Sequence, residues 1–276
     1  MPKKKKINES GHSEIEKKYP SIILGLDIST ACIGISIVCD DGVNKPSIAE
    51  ITHVVPKIND GIKGIEALIL RKEIFEKEFL EKHKDIGITE CVIEAPLTFT
   101  AGNSNADTVA QLLKFNALLS EAVYRVLGII PYYMTSADAR MYSFPQILGI
   151  RKYNRKGEKY DAKFIEKSIK GNHVVPFASY PFDIDKKIVM MDLVNEEYPE
   201  IEWLYNSKGN LKKENYDACD SLVCALAYIN KKKYGEINWE IIDYNKKEVD
   251  EDGEQYTEFS VQIKIWDKIY TKIIKV

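Results

Sequence analysis

Four acidic residues stand at the ends of segments that are otherwise apolar, and they are the residues of this chain best suited to chemistry. The first two close short apolar runs, and the other two lie three residues apart at the start of an apolar helix. Residues three apart share a helix face. An ionised carboxylate in apolar surroundings is costly unless something pairs with it. The four residues are Asp27, Glu94, Asp217 and Asp220.

Three of the four acids also have a structural explanation when they are taken alone. Asp27 could cap the turn that follows it by accepting hydrogen bonds from backbone N–H groups, or it could hold a cation. Asp217 and Asp220 suit the first turn of a helix, because the helix macrodipole favours negative charge there. The four acids together are more informative than any one of them. In particular, a helix cap needs one Asp, whereas Asp217 and Asp220 give this helix two on one side.

A site shared by the four carboxylates would need a cation. Carboxylates a few ångströms apart repel one another and raise one another's pKa, and a divalent ion removes this penalty. Hard cations prefer carboxylate oxygens, and the sequence offers no cluster of His or Cys for a softer metal. Two such ions about 4 Å apart can bind the attacking water and the leaving oxygen of a phosphodiester. The pattern therefore predicts two Mg²⁺ ions, replaceable by Mn²⁺, and phosphoryl hydrolysis.

The order of the predicted elements places these acids on an α/β fold. Asp27 follows the first predicted strand and Glu94 lies at the end of the fourth, and ligands of open α/β sheets bind at that edge. The long helix that ends at Gly128 has a wide apolar face, which fits either core packing or a dimer contact. The predicted strands are 22–26, 33–38, 48–55, 88–95 and 129–134, and the predicted helices are 61–84, 107–128, 136–140, 186–198 and 216–229.

The composition is that of an ordinary globular protein large enough for a sizeable core. Of its 276 residues, 45% are hydrophobic and 29% are charged, and the net charge of −3 does not by itself indicate a nucleic-acid binder. No apolar run approaches the roughly 18 residues that span a bilayer, and no signal peptide opens the chain. None of the five cysteines forms a Cys-x-x-Cys pair, so we expect reduced core thiols and an intracellular protein.

Three segments fall outside the predicted core fold. The first carries four consecutive lysines and is either simply solvated or makes an accessory contact to phosphates. The second is rich in Pro and Gly and interrupts the main domain. The third begins as an acidic linker and ends in a β-hairpin of 259–265 and 269–274. The predicted organisation is a disordered basic tail of 1–20, a main domain of 21–233 with the insertion 142–185, and an extension of 234–276 made of the acidic linker and the hairpin.

The insertion contains a strongly basic stretch. Residues 151–170 hold eight Lys or Arg against three acids, with Tyr153, Tyr160 and Phe164 interleaved. Basic residues mixed with aromatic ones suit phosphate contact and base stacking, although a solvated lysine-rich helix would have a similar composition. The candidate nucleic-acid contacts in and near this stretch are Arg140, Arg151, Lys152, Arg155 and Lys156.

The four acids lie in three short motifs, and a fourth motif stands between the second and the third. The motifs are Leu24-Gly25-Leu26-Asp27-Ile28-Ser29 with Gly34, Val92-Ile93-Glu94, Asn105-Ala106-Asp107-Thr108 and Tyr216-Asp217-Ala218-Cys219-Asp220-Ser221-Leu222. In order and placement they resemble the RuvC-type Holliday-junction resolvases of the ribonuclease H-like superfamily. The resemblance spans roughly residues 21–140 and 186–230, and the insertion and the C-terminal extension have no counterpart that we can place.

This resemblance implies an α/β fold with a ribonuclease H-like mixed sheet flanked by helices, to which the chain adds the inserted basic segment and a C-terminal β extension. It also implies a homodimer that binds two Mg²⁺ ions and cuts opposed strands of a four-way junction during DNA recombination or repair, leaving 5′-phosphate and 3′-hydroxyl ends. Carried over, Asp27 would bridge both ions. Glu94 and Asp217 would ligate one or both, and Asp220 would complete the site or assist the water.

The loop after Glu94 is longer than its counterpart in the family. In the family this loop carries an aromatic residue that wedges into the junction, and Phe99 is the candidate here, although a buried core Phe would give the same pattern. Asn103 and Asn105 in the same loop are further candidate DNA contacts.

The function that we expect is a divalent-metal-dependent, structure-selective DNA endonuclease that acts on four-way or other branched DNA. It would work in the cytoplasm, either of its own cell or, as a viral protein, of a host. The alternative is a non-catalytic adaptor on the same fold that binds or packages branched DNA. Four converging acids disfavour the adaptor, because an inert protein has no need of them.

Overall fold

The computed structural model describes residues 19–96, 106–251 and 254–276. Contacts along the chain divide it into two compact units. The first contains the described residues up to Ala139 together with Met190–Ile229, and the second contains Arg140–Val189 and the described residues from Asn230 onwards. Both the insertion 142–185 and the extension 234–276 fall in the second unit. The domain boundaries predicted from the sequence, after residues 20 and 233, stay a prediction.

A five-stranded mixed sheet forms the centre of the first unit, with the strand order β3-β2-β1-β4-β5. The three strands β1, β2 and β3 pair antiparallel, whereas β4 runs parallel to both β1 and β5. The strands are β1 (Ser21–Ile28), β2 (Ile33–Asp40), β3 (Ser47–Val54), β4 (Glu90–Glu94) and β5 (Tyr132–Met134).

Strand β1 is buried on both faces, which explains why its sequence is a continuous apolar run without alternation. The turn from β1 into β2 is closed by Ser29, whose hydroxyl donates to the Cys32 carbonyl (2.8 Å) and accepts from the Cys32 N–H (3.0 Å). The serine that marks this turn in the sequence therefore ties its two sides together.

Helices cover this sheet, and two of them supply large side chains to its core. The rings of Phe75, Phe79 and Phe115 are fully buried there together with Leu119. The predicted helix 61–84 is confirmed, except that a π-helical turn, Glu76–Leu80, interrupts it before a last turn at Glu81–His83. The helices are α1 (Gly64–Phe75), α2 (Ala106–Leu127), α3 (Ser136–Ser143), α4 (Ala162–Lys170), α5 (Lys186–Glu197) and α6 (Glu214–Tyr234).

The wide apolar face of α2 is used in part by the core. Phe115, Leu119 and Val123 are buried against the sheet, while Leu113 and Tyr124 on the same helix are exposed. Core packing therefore accounts for the buried side of this face, and the homodimer stays a prediction.

The second unit contains two small antiparallel sheets. The two-stranded sheet pairs β6 (Leu148–Ile150) with β7 (Val174–Pro176), and the other has the order β10-β9-β8. Its β9–β10 hairpin confirms the predicted C-terminal hairpin. The three strands of the second sheet are β8 (Trp239–Glu251), β9 (Glu254–Ile265) and β10 (Lys268–Lys275).

The prediction of an acidic linker before this hairpin was wrong, because strand β8 occupies most of that stretch. An antiparallel sheet can leave one face in water, so a strand tolerates many charged residues on that face. Cross-strand pairing also offsets the charge, as where Lys247 of β8 lies 2.8 Å from Glu258 of β9. Net charge alone is therefore a poor indicator of a linker.

The fold class predicted from the sequence is confirmed: an α/β protein with a mixed sheet flanked by helices, a basic inserted segment and a C-terminal β extension. All five cysteines are buried and none of them forms a disulfide, as expected for core thiols. None of the helices within the described residues is both long and apolar enough to cross a membrane.

Candidate metal centre

Three of the four predicted carboxylates meet at one end of the sheet. Asp27, Glu94 and Asp220 each offer an oxygen atom, and these atoms all lie within 4.8 Å of one another. The first two meet because β1 and β4 are parallel neighbours, with Leu26 directly opposite Ile93. The strand ends therefore bring the following residues, Asp27 and Glu94, side by side at the C-terminal edge.

The third carboxylate comes from helix α6, whose backbone lies directly on the sheet. A Cβ atom on Gly34 would lie 2.7 Å from the Ala218 nitrogen and would overlap the Asp217 carbonyl group. A Cβ on Gly25 would likewise overlap the carbonyl oxygen of Ser221. Only glycine allows so close an approach, and the approach brings the helix level with the ends of the strands.

The helix begins at Glu214, two residues earlier than predicted, so Asp220 lies in its second turn. Asp220 is only 3% exposed, whereas Asp27 and Glu94 are partly exposed. The cluster therefore has a buried side, formed by the helix, and a more open side, formed by the strand ends.

Asp217 is not a member of this group of three. It lies one helical turn before Asp220, and its carboxylate lies near the thiol of Cys32 in the β1–β2 turn. Burial raises the pKa of the Cys32 thiol, and the neighbouring Asp217 carboxylate raises it further. The structure thus places Asp217 next to the cluster, on the side of β2, and its role as a fourth ligand stays a prediction.

The donor set fits a hard divalent cation. All three donors are carboxylates, which Mg²⁺, Mn²⁺ and Ca²⁺ prefer over nitrogen or sulfur ligands. Oxygen ligands lie about 2.0–2.6 Å from such ions, so ligands on opposite sides of one ion are about 4–5 Å apart. The observed limit of 4.8 Å is of this size. Three ionised carboxylates so close together also repel one another, and a bound cation would relieve that repulsion.

The structure describes only some of the residues that were predicted to contact DNA. Phe99, Asn103 and Asn105 lie outside the described residues. The basic candidates all belong to the second unit and are Arg140, Arg151, Lys152, Arg155 and Lys156.

Two of these arginines share an aromatic residue that the sequence analysis did not single out. The guanidinium groups of Arg151 and Arg155 lie over the ring of Phe182 at 5.5 and 5.7 Å from its centroid, and this ring is 47% exposed. Phe182 follows Pro181 in an irregular segment, so no periodic pattern could have marked it. An exposed ring beside two guanidinium groups is a surface on which a nucleobase can stack.

The alternative explanation for the basic stretch, a solvated lysine-rich helix, applies to only part of it. Helix α4 starts at Ala162 after the Asp161 side chain caps it by accepting from the Phe164 N–H (2.8 Å). On this helix Lys170 pairs with Glu166 at 2.6 Å, as a solvated helix would. The residues 151–160 before this helix are not helical, and among them Arg155 and Lys156 are exposed whereas Lys152 is half-buried.

Comparisons with known proteins find similar structures but no similar sequence. No protein-family model matches the sequence, and no curated protein matches it significantly. RuvC of Thermus thermophilus has a TM-score of 0.44 and 14% identity, over 78% of this chain and 96% of that chain. The same protein in complex with a Holliday junction substrate has a TM-score of 0.43 and 12% identity, over 78% and 96% of the two chains.

The yeast mitochondrial Holliday junction resolvase Ydc2 has a TM-score of 0.41 and 11% identity, over 80% of this chain and 84% of that chain. These values describe a likeness of fold at low identity. The chain is thus similar in structure, at these values, to RuvC of Thermus thermophilus and to the yeast mitochondrial resolvase Ydc2.

Proposed function

We propose that the protein is a divalent-metal-dependent, structure-selective DNA endonuclease that resolves Holliday junctions or other branched DNA by phosphodiester hydrolysis. The observation that supports it most is the convergence of Asp27, Glu94 and Asp220 from three separate elements within 4.8 Å. Stability alone does not call for such a cluster, because carboxylates this close together repel one another. Catalysis gives a reason to collect all three.

The protein's own contribution to the reaction is to hold these oxygens in place. Asp27 and Glu94 are fixed by the pairing of two buried parallel strands, and Asp220 by the close packing of α6 on Gly34. Mg²⁺ bound by these carboxylates would polarise the scissile phosphate and activate water. Because the ligands stand on rigid elements, little reorganisation is needed when charge develops on the phosphate. Asp217 would add a fourth carboxylate on the Cys32 side.

The finer parts of the proposal rest on the sequence resemblance and on the state of the cysteines. Two Mg²⁺ ions, replaceable by Mn²⁺, a homodimer and a four-way substrate are what the resemblance implies. Five buried cysteines without a disulfide suit a reducing compartment, which supports a cytoplasmic site of action in the protein's own cell or in a host.

A cleavage panel tests this function. We expect the full-length protein with Mg²⁺ to nick labelled four-way, three-way or flap DNA and to leave linear duplex intact, and Ca²⁺ to support binding with little or no cleavage. The adaptor alternative predicts binding to branched DNA without cleavage under every metal condition. Absence of both binding and cleavage would contradict the two functions together.

The basic stretch before α4 gives a second, independent prediction. Neutralising Lys152, Arg155 and Lys156 should weaken junction binding and reduce the slope of log affinity against log salt by up to about 3, since each phosphate contact contributes about 0.9. Affinity is measured over a salt series without divalent ions.

The matched control removes the same number of charges from the adjacent helix, with Lys163, Lys167 and Lys170 all changed to Ala. We expect this control to alter the salt slope much less, because these lysines lie on the helix that behaves as a solvated surface. If the variant of Lys152, Arg155 and Lys156 has the same salt slope as wild type, residues 151–156 are also a solvated surface and do not contact phosphates.

A further inference from the structure

An exposed hairpin lies between α5 and α6 and has no part in the mechanism above. Its base is a β-bridge between Tyr205 and Leu211. The Asn206 side chain accepts from the Lys208 N–H (2.9 Å) and the Asn210 N–H (3.1 Å), and Gly209 adopts the left-handed φ of 78° that closes the turn.

The same hairpin occurs a second time in the chain, in the other unit. There the β-bridge joins Tyr153 to Lys159, and Asn154 accepts from the N–H groups of Lys156 (2.8 Å) and Glu158 (3.1 Å). Gly157 has a φ of 80°. Both hairpins therefore have the sequence Tyr-Asn-x-Lys-Gly and the same internal hydrogen bonds.

Turn geometry explains only two of the four shared residues. Asn satisfies the N–H groups inside the turn, and Gly accepts the left-handed backbone. Neither requirement selects Lys, because Lys156 and Lys208 are both exposed and no described residue forms an ion pair with either of them. Nor does it select Tyr205, whose side chain is 59% exposed. The exposed Lys recurs at matching positions, and the Tyr is exposed in the hairpin of the first unit but half-buried, as Tyr153, in the second. A repeated, solvent-facing Lys beside a Tyr indicates a ligand of one kind.

The hairpin of the first unit is held firmly to the start of α6. Asn215, which is 3% exposed, accepts from the Leu204 N–H (3.1 Å) and donates to the Leu204 carbonyl (2.7 Å). The same carbonyl accepts from the Lys212 N–H (2.9 Å). Asn215 is the second residue of α6 and precedes Asp220 by five positions. The base of the hairpin is thus attached to the helix that brings Asp220 to the cluster.

The charge of the hairpin suits an anionic ligand. Residues 203–213 include Lys208, Lys212 and Lys213, all exposed, and no acidic residue. Lysines bind phosphates as point charges, and an exposed tyrosine offers a flat face for a nucleobase. A strand of nucleic acid presents both groups at once.

We propose that residues 204–213 form a second DNA-binding element, in which Lys208 contacts a backbone phosphate and Tyr205 stacks on an unpaired base of the strand held at the carboxylate cluster. The identity of the ligand as DNA rests on the proposed function. The element itself rests on the repeated hairpin, its exposed Tyr and Lys, and its attachment to α6.

Binding assays on the full-length protein without divalent ions separate this inference from catalysis. We expect Lys208→Glu to weaken binding to a labelled four-way junction several-fold and to lower the salt slope by about 1 or more. Tyr205→Ala should weaken binding to the junction and to single-stranded DNA by about 5-fold or more, whereas Tyr205→Phe, which keeps the ring, should bind like wild type.

Lys84→Glu is the matched charge control, because Lys84 is equally exposed but lies in the segment leading into β4, near the opposite end of the strands. Melting curves identical to wild type establish that the variants are folded. If Lys208→Glu and Tyr205→Ala bind like wild type with an unchanged salt slope, the inference fails while the proposed function stands. If the wild-type protein binds neither DNA, the proposed function itself fails.

Discussion

Replacing Asp27 by Asn should abolish nicking while leaving junction binding almost intact. Asp27 stands where β1 ends, beside Glu94 and within 4.8 Å of Asp220, so its replacement removes one of the three carboxylates of the cluster. Asn has almost the same shape but carries no charge, so it weakens cation binding without disturbing the packing. We expect cleavage to fall by at least about 100–1000-fold, the size of loss seen when one preorganised electrostatic contact is removed.

Thermal melting provides a readout of the same residue that does not depend on activity. Wild-type protein should melt at a higher temperature when Mg²⁺ is added, because a ligand that binds only the folded state stabilises it. Asp27→Asn should lose most of this gain. Without Mg²⁺ the variant should be at least as stable as wild type, because one of three mutually repelling charges is gone.

Asp85→Asn is the control for both measurements, since Asp85 is an exposed acid in the loop that leads into β4. It should cut and respond to Mg²⁺ like wild type. An Asp27→Asn protein that nicks at the wild-type rate would remove the carboxylate cluster from the mechanism.

The convergence of the strand carboxylates could be predicted from the sequence because it depends on strand ends. Two apolar runs that each close with an acid become parallel neighbours in a buried sheet, and parallel neighbours end at the same edge. Such runs are easy to recognise when a strand is buried on both faces, as β1 is. The apolar runs alone are therefore enough to place Asp27 and Glu94 each at a strand end, and the structure adds that the two strands are parallel neighbours.

Which of the two helix acids joins the cluster could not be predicted in the same way. Asp217 and Asp220 share a face by their spacing, but the sequence does not determine which turn of α6 is level with the strand ends. That level is set by backbone packing on Gly25 and Gly34, which brings Asp220 into the group and turns Asp217 towards Cys32. Tertiary contacts, which have no local signal, decide it.

Surface elements were the least predictable part of the chain. Strand β8 was hidden by its acidic residues, and Phe182 by the irregular segment that carries it. The hairpin at 204–213 has the composition of an ordinary polar turn, although the sequence Tyr-Asn-x-Lys-Gly at 205–209 repeats the one at 153–157. Turn propensities alone do not contain this signal, because it lies in the similarity between two turns of the chain.

Replacing Gly34 by Ala should damage both stability and cleavage, because α6 has no room for a methyl group there. Gly34 lies in β2 with an ordinary strand conformation, so its lack of a side chain matters only for the contact with α6. The added Cβ would overlap the Asp217 carbonyl, which is backbone and cannot rotate away. Overpacking of this kind costs about 1–3 kcal/mol of unfolding free energy or more.

Cleavage should fall further than this loss of stability alone would cause. Relief of the overlap requires α6 to move away from β2, which carries Asp217 and Asp220 away from Asp27. A displacement of about 1 Å at a catalytic group can cost about 100-fold in rate. We expect such a loss at temperatures where the variant is still fully folded, together with a smaller rise in melting temperature on addition of Mg²⁺.

Gly42→Ala separates this contact from the general cost of replacing a glycine. Gly42 occupies an exposed turn with a φ of 76°, and nothing lies within 4 Å of where its Cβ would be. Its replacement should cost about 1–2 kcal/mol for the left-handed backbone and leave the rate of cleavage unchanged. If Gly34→Ala cut DNA and responded to Mg²⁺ as Gly42→Ala does, the position of α6 would not control the carboxylate cluster, and Asp220 would have to be held by other contacts.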